Sequence, residues 1–465
     1  MSTVRRFGLV LFASFSASFF SPVNAQEMTL TQALELARNN DPEYLGVRAQ
    51  LEATRERAAQ ARAYSLPQIS IRGANNRYNR RYETLDTLFP VPISEARYEG
   101  YSAQLTLNQP LWRRANAIGR SQASAAIDQG EHEVLAAEQD LLLRVASTWF
   151  DTLSAADSLA HVEARRAAMH LQWDQIQKAA AIDLAAGPAL EESRAEYERA
   201  AAEQAAATYE VEAKRAALEQ IVGVLPSFAL PTLSPAYVPP APEGGSLERW
   251  LELAENNSPT VHAARAALAV ADAEIRRQQA NRQPTLDLVG SVGLNKQGEG
   301  DFPTQPGYDV RQKSIGIELN VPIYQGGMQG ARVREAVAMR SRAEQDLQLA
   351  LREVHAATKA AWFAWQGSNS RYLAASHGVT SAALGVRSAS VGKVQGVNFE
   401  LEVLEAREQL LDAWRGLQQA RYETILSSMR LKAVGGQLSN FDFVALDSNW
   451  IPREAATREL VAANR

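Results

Sequence analysis

The side chains best able to move protons or bind a metal near neutral pH are six histidines, His132, His161, His170, His262, His355 and His377. None stands three or four residues from another, so no metal-ligand pairing is visible, and neither a phosphate-cradling glycine loop nor a nucleophile elbow occurs. The chain has 0 cysteines, which removes disulfides, thiolate metal sites and a lipid-bearing N-terminal cysteine. The histidines read as scattered surface residues. No catalysis, no metal and no cofactor are expected, and any energy has to come from a partner.

The function therefore has to reside in architecture. Arg5 and Arg6 precede an apolar run from Phe7 to Phe20 that ends in Val23-Asn24-Ala25, the pattern of a secretory signal cut after Ala25. No later stretch reaches the eighteen apolar residues that a membrane-crossing helix needs, so membrane insertion requires a barrel. The formal charge is −5, or −5 − 2 = −7 without the two signal arginines, and nothing points to nucleic acid.

An internal repeat organises the remainder. Leu34-Glu35-Leu36-Ala37 through Asp41-Pro42 matches Leu251-Glu252-Leu253-Ala254 through Ser258-Pro259 at an offset of 259 − 42 = 217, which also carries Pro67 onto Pro284. Leu107-Asn108-Gln109-Pro110 matches Leu319-Asn320-Val321-Pro322 at 322 − 110 = 212. Paired prolines and aromatics in one order argue for two copies of one unit. The boundaries read as a signal at 1–25, a first repeat at 26–225, a proline-rich linker at 226–245, a second repeat at 246–435 and a tail at 436–465 that looks irregular and polar.

Each unit opens helical, with an Asp-Pro or Ser-Pro step that kinks or starts a helix. The period then falls to two. Ile69 and Ile71 alternate with Ser70 and Arg72, Leu105 and Leu107 with Thr106 and Asn108, and Leu286 and Leu288 with Asp287, which predicts hairpins at 68–110 and 285–322. Four strands of about ten residues are each long enough to cross a bilayer. Pro67, Pro110, Pro284 and Pro322 mark strand–helix junctions, because proline neither donates to a ladder nor leaves its predecessor helical. Trp112 and Tyr324, each two residues past a proline, suit an interfacial aromatic girdle.

Beyond them the chain runs about seventy residues without proline, enough for a helix on the order of 100 Å. A shorter helix then returns to about Val222 and Val434. Leu142, Val145, Trp149 and Leu153, and likewise Leu404, Leu411, Trp414 and Leu417, have coiled-coil spacing. Four strands cannot close a barrel, so copies have to associate; three would supply twelve strands.

Leu66-Pro67-Gln68-Ile69, Gln109-Pro110-Leu111-Trp112, Val321-Pro322-Ile323-Tyr324-Gln325-Gly326-Gly327-Met328 and Glu402-Val403-Leu404-Glu405 after Gly396 resemble the TolC-like outer-membrane factors over nearly all of the mature chain. That resemblance implies an α+β membrane protein: a homotrimer whose twelve-stranded β-barrel continues into a long periplasmic α-helical coiled-coil barrel in the cell outer membrane. It further implies a periplasmic adaptor and an inner-membrane transporter, ABC or proton-driven, as partners, with outer-membrane lipid around the barrel. Protein export by type I secretion is the favoured role, multidrug or small-molecule efflux the alternative. A non-pore periplasmic adaptor or structural coiled coil is the reading from another class.

The resemblance also places Glu402 and Glu405 in acidic rings at the periplasmic gate. They stand three apart and so share a helix face, and two carboxylates from each of three chains would attract cations and disfavour anions. Gly396, Asn398 and Gly187 fall at the tip turns. Asn398 stands where the family often has arginine, and the turn at Gly187-Pro188-Ala189 lacks the expected aspartate. A salt-bridged latch is not expected at these positions.

Overall fold

A computed structural model of the chain describes residues 28–82, 94–182, 186–224, 230–299, 307–394 and 400–452; the signal segment lies outside them. In chain order the elements are α1 (Leu30–Asn40), α2 (Pro42–Ala63), β1 (Gln68–Tyr82), β2 (Ser94–Trp112), α3 (Arg114–Ala180), α4 (Gly187–Val222) and β3 (Thr232–Leu233). They continue with α5 (Leu247–Asn257), α6 (Pro259–Ala280), β4 (Thr285–Gln297), β5 (Tyr308–Asn320), α7 (Met328–Val394), α8 (Glu400–Val434), α9 (Asn440–Asp447) and β6 (Trp450–Ile451).

Local chemistry sets the boundaries. Thr29 and Gln32 form a capping box on α1, and Pro42 and Pro259 occupy the first turns of α2 and α6, where a missing N–H costs nothing. The Asp-Pro and Ser-Pro steps thus start new helices. Between β5 and α7 the chain turns at Gly326 and Gly327, whose φ values of 60° and 81° only glycine adopts without strain.

The four long strands form one antiparallel sheet in the order β1-β2-β4-β5. Its two hairpins share one register: Gln68 faces Asn108 and Thr285 faces Asn320, and 68 + 217 = 285 while 108 + 212 = 320. Ile69, Ile71, Leu105, Val292, Ile315, Ile317 and Leu319 lie on one face and are exposed there. The other face is polar, with hydroxyl pairs Ser70–Thr106 at 2.7 Å and Ser291–Ser314 at 2.8 Å. This sheet is inverted relative to a soluble one, with its apolar side outward. The strands, at 15, 19, 13 and 13 residues, exceed the expected ten.

α3 and α7 are each 67 residues long, about 100 Å at 1.5 Å per residue. α4 returns along α3 and α8 along α7, while α2 and α6 flank the barrel-side halves. Leu142, Val145, Trp149 and Leu153 are buried as their spacing predicts. On α8 the predicted Leu417 is buried and Trp414 packs against the same cluster, but Leu404 is only half-buried and Leu411 lies outside the seam. Val403, Leu410, Leu417, Thr424 and Leu431 recur every seven residues and are all buried, whereas Leu411 is 40% exposed. A seven-residue repeat is the pattern that favours a left-handed supercoil.

The main core sits midway along the helices, where Trp149 and Phe150 of α3 meet Leu34 of α1, Leu218 of α4, Tyr422 of α8 and Phe443 of α9. β3 pairs with β6 beside it, and Trp450 packs edge-on to Trp149 at 6.4 Å. The tail as far as Ile451 is therefore ordered, contrary to the irregular segment expected. The missed signal was the capping box of Ser439 and Asp442, followed by Phe443 and Leu446 on one buried side. Asp447 then accepts hydrogen bonds from the Leu30 and Thr31 amides at 3.0 and 3.1 Å, capping α1 from the far end of the chain.

Candidate functional site: the barrel junction and the hairpin tips

The described helices bring those predicted functional residues that are described to two places about 100 Å apart. At the barrel end, Pro67 and Pro284 immediately precede β1 and β4, and Pro322 lies two residues past β5. Pro110 is different. It sits inside β2 opposite Asp287, and the ladder shifts register between Pro110 and Trp112, so the strand accommodates a residue without an N–H by bulging. Trp112 ends β2 and is 48% exposed, and Tyr324 is 85% exposed.

Sequence reasoning missed the ionic clasp at this junction. Arg113, the residue linking β2 to α3, donates from Nε and Nη2 to Asp287 of β4 at 2.8 and 2.5 Å, and the Asp287 side chain is only 10% exposed. The pair joins the second strand of one repeat to the first strand of the next. The bidentate fork fixes angle as well as distance. An acidic residue on an alternating polar face, with an arginine just past a strand, was the available signal.

Midway down, Asp41 caps α2 and accepts two hydrogen bonds from Arg144 of α3, at 3.1 and 2.9 Å. Burial pushes the Asp41 carboxyl up, but the Arg144 and Tyr44 hydrogen bonds and the Arg144 charge outweigh it, leaving the group below the usual carboxylate range.

At the tip, Gly187 is the first residue of α4, with Pro188 in its first turn. Gly396 and Asn398 lie outside the described residues. Glu402 and Glu405 occupy the first turns of α8 and are both exposed. The structure separates their surroundings. Glu405 lines a groove of about 640 Å³ between α3, α4 and α8, together with His161, Arg165, Glu203, Glu408 and Asp412, whereas Glu402 is not part of it.

Arg165 spans this groove. It donates to Glu203 of its own hairpin at 2.9 Å and stands 3.3 Å from Glu408 of the other. His161 is half-buried beside it. Burial, and then the positive charge of Arg415, hold the imidazole below its ordinary value against the opposing pull of Asp412 and Glu408.

The histidines are less scattered than their spacing implied. His132 stacks on His262 at 5.0 Å, joining α3 to α6, and His170 packs edge-on to Tyr197 at 5.3 Å. His355 stands 3.2 Å from Glu255. Four of the six thus serve contacts between elements, which residue spacing along the chain could not reveal.

An inverted sheet with open edges, continuous with paired helices of about 100 Å, defines an outer-membrane channel protein. The family model described as outer membrane efflux protein matches residues 33–224 and again 250–437. The chain belongs to that family. It is 28% identical to the outer membrane protein TolC of Vibrio cholerae over 90% of this chain and 93% of that protein. It is 27% identical to the proteases secretion protein PrtF of Dickeya chrysanthemi, over 91% of each. The fold matches that of the Campylobacter jejuni CmeC outer membrane channel with a TM-score of 0.70 at 15% identity, covering 96% and 97% of the two chains.

Proposed function

We propose that this channel works as a homotrimer and forms the exit duct of a tripartite export system that secretes proteins by the type I route. The observation that carries the trimer is the sheet. It has four strands, an outward apolar face, and free edges at β1 and β5. An exposed edge in lipid leaves backbone groups unsatisfied at several kcal/mol each, so β5 of one copy pairs with β1 of the next until the barrel closes. Three copies give twelve strands.

The tip of such a trimer meets a periplasmic adaptor and an energised inner-membrane transporter, since the chain shows no nucleotide-binding motif of its own. Similarity to a protein named for protease secretion, and the absence of a lipid-bearing cysteine, support protein cargo. The family's description as efflux proteins supports the second reading, export of small toxic molecules. Planar-bilayer conductance of the purified chain, with its mass determined in the same detergent, tests the channel: a trimer with small cation-selective openings is expected, and a non-conducting monomer would refute it. Deleting the chain from its host then separates the cargoes. Loss of a secreted protein with unchanged drug sensitivity is expected, and the reverse pattern would establish efflux.

A further inference from the structure

The outward face of the sheet changes character along its length. Near the helices it is apolar, with Ile69, Ile71, Leu107, Leu288, Ile317 and Leu319. Toward the loops the same face turns basic. Lys313 lies opposite Val292, Arg311 opposite Leu294, and Lys296 opposite both Tyr101 and Asp309, with Arg77 opposite Glu99 one strand further on.

Four bases thus border the apolar band against two acids. Arg77 is neutralised by Glu99 at 2.6 Å, and Arg311 comes no closer to Asp309 than 3.9 Å. Lys296 and Lys313 are exposed and make no ion pair among the described residues. On β4 and β5 the opposite face at the same level carries Gly293, Asn295, Val310, Gln312 and Ser314, all uncharged, and Arg72 of β1 is the one base in that row. On β4 and β5 the positive charge lies on the side that meets lipid. Lysine and arginine stems lie along apolar surface while their charged heads reach outward, and an interfacial tyrosine stands among them.

We propose that Lys296, Arg311 and Lys313 form a basic collar that binds the phosphate groups of anionic lipids in the outer leaflet. The proposal rests on the barrel reading, which puts this face against the membrane and the loop end at the cell exterior. Three copies of the chain repeat the collar around the barrel, and each uncompensated base adds attraction to a negative headgroup layer. The collar sets the depth at which the barrel rides and recruits a lipid annulus of selected charge.

The full-length chain, reconstituted in vesicles of phosphatidylcholine containing a minor fraction of phosphatidylglycerol, provides the test. Lipid retained on the protein after extraction is read by native mass spectrometry. Phosphatidylglycerol is expected to be enriched over the bulk, and Lys296→Gln, Arg311→Gln and Lys313→Gln combined are expected to reduce that enrichment about tenfold or more. The single variant Lys313→Gln, milder in its effect on assembly, is expected to give a partial loss. Equal enrichment in the parent and both variants would overturn the collar, as would displacement of the lipid by inorganic phosphate in detergent, which would mark a free-anion site. A parent chain that neither conducts nor trimerises would strike the barrel reading instead, so the two failures are distinguishable.

Discussion

Arg113 and Asp287 lock the base of the sheet across the repeat boundary, with Asp287 almost wholly enclosed and Arg113 still 37% exposed. The two halves of the pair are therefore unequal. Arg113→Ala strands a buried carboxylate, for which about 3 kcal/mol is expected, whereas Asp287→Ala leaves a guanidinium that can turn to water and costs less. Thermal unfolding of the single and double variants checks this, and the double variant is expected to be no worse than Arg113→Ala alone. Equal losses for the two single variants would show that the aspartate is not the buried partner that matters.

The pair also shows where sequence reasoning stops. The hairpins were legible because Leu105, Leu107, Leu286 and Leu288 alternate with polar residues, and the helix starts because Pro42 and Pro259 can occupy only a first turn. Arg113 and Asp287 are 174 residues apart, and only the pairing of β2 with β4 brings them together. Arg165 and Glu408 likewise meet because two hairpins lie side by side. In the α8 seam the spacing correctly finds Leu417 and Trp414, but it points to Leu404 and Leu411 in place of their neighbours Val403 and Leu410. Val403 and Leu410 carry the true repeat, and a one-residue offset is hard to read where alanine can serve either face.

Acid acts through Asp41. Its folded-state pKa lies below the ordinary value of 3.8, so the Asp41–Arg144 contact stabilises the fold above that pH and is lost as pH falls through the folded value. Asp41→Asn keeps a competent N-cap but removes the charge, and a loss of about 2 kcal/mol is expected at neutral pH, shrinking toward zero in acid. The corresponding position in the second repeat is Ser258, which does not titrate. Ser258→Ala is expected to show no such pH dependence in matched melting curves.

His161 acts in the same direction nearer the tip, over a higher pH range. Because burial holds it below the ordinary value of 6.5, the unfolded state binds the proton first, and stability is lost as pH falls from about that value toward the folded one. Its neighbours across the groove are Glu408, Asp412 and Arg415 of α8, with Arg165 on its own helix. Hydrogen exchange in α8 near Glu408, corrected for intrinsic rates, is expected to quicken on mild acidification. His161→Gln is expected to flatten that response, and an unchanged pH profile in the variant would assign it to the carboxylates instead.

The repeat offsets also give the register between copies. Within the chain, β2 and β4 pair so that partner numbers sum to 397, as in 105 + 292; shifting β2 by 212 and β4 by −217 turns this into 392 for β5 against β1 of the next copy. Ile317 then faces Asn75 of its neighbour. The chain has 0 cysteines, so Ile317→Cys with Asn75→Cys is expected to yield a covalent trimer on oxidation, with little cross-linking when Arg77→Cys replaces Asn75→Cys. The reverse preference would mean that the seam between copies breaks the pseudo-repeat.

Conduction distinguishes the two acidic residues at the tip. Glu402 stands outside the groove that Glu405 shares with Arg165, Glu203 and Glu408, so its charge is free to act on ions passing through the entrance, whereas the carboxylate of Glu405 lies near fixed positive charge. Glu402→Gln is therefore expected to reduce cation selectivity, seen as a smaller reversal potential in a salt gradient, by more than Glu405→Gln does. Glu405→Gln is expected instead to raise the frequency of spontaneous openings, because it alters the electrostatics where the two hairpins meet. Equal selectivity losses from both would place the pair together in the pore, as stacked acidic rings require, and would make the groove a feature of the isolated chain that assembly remodels.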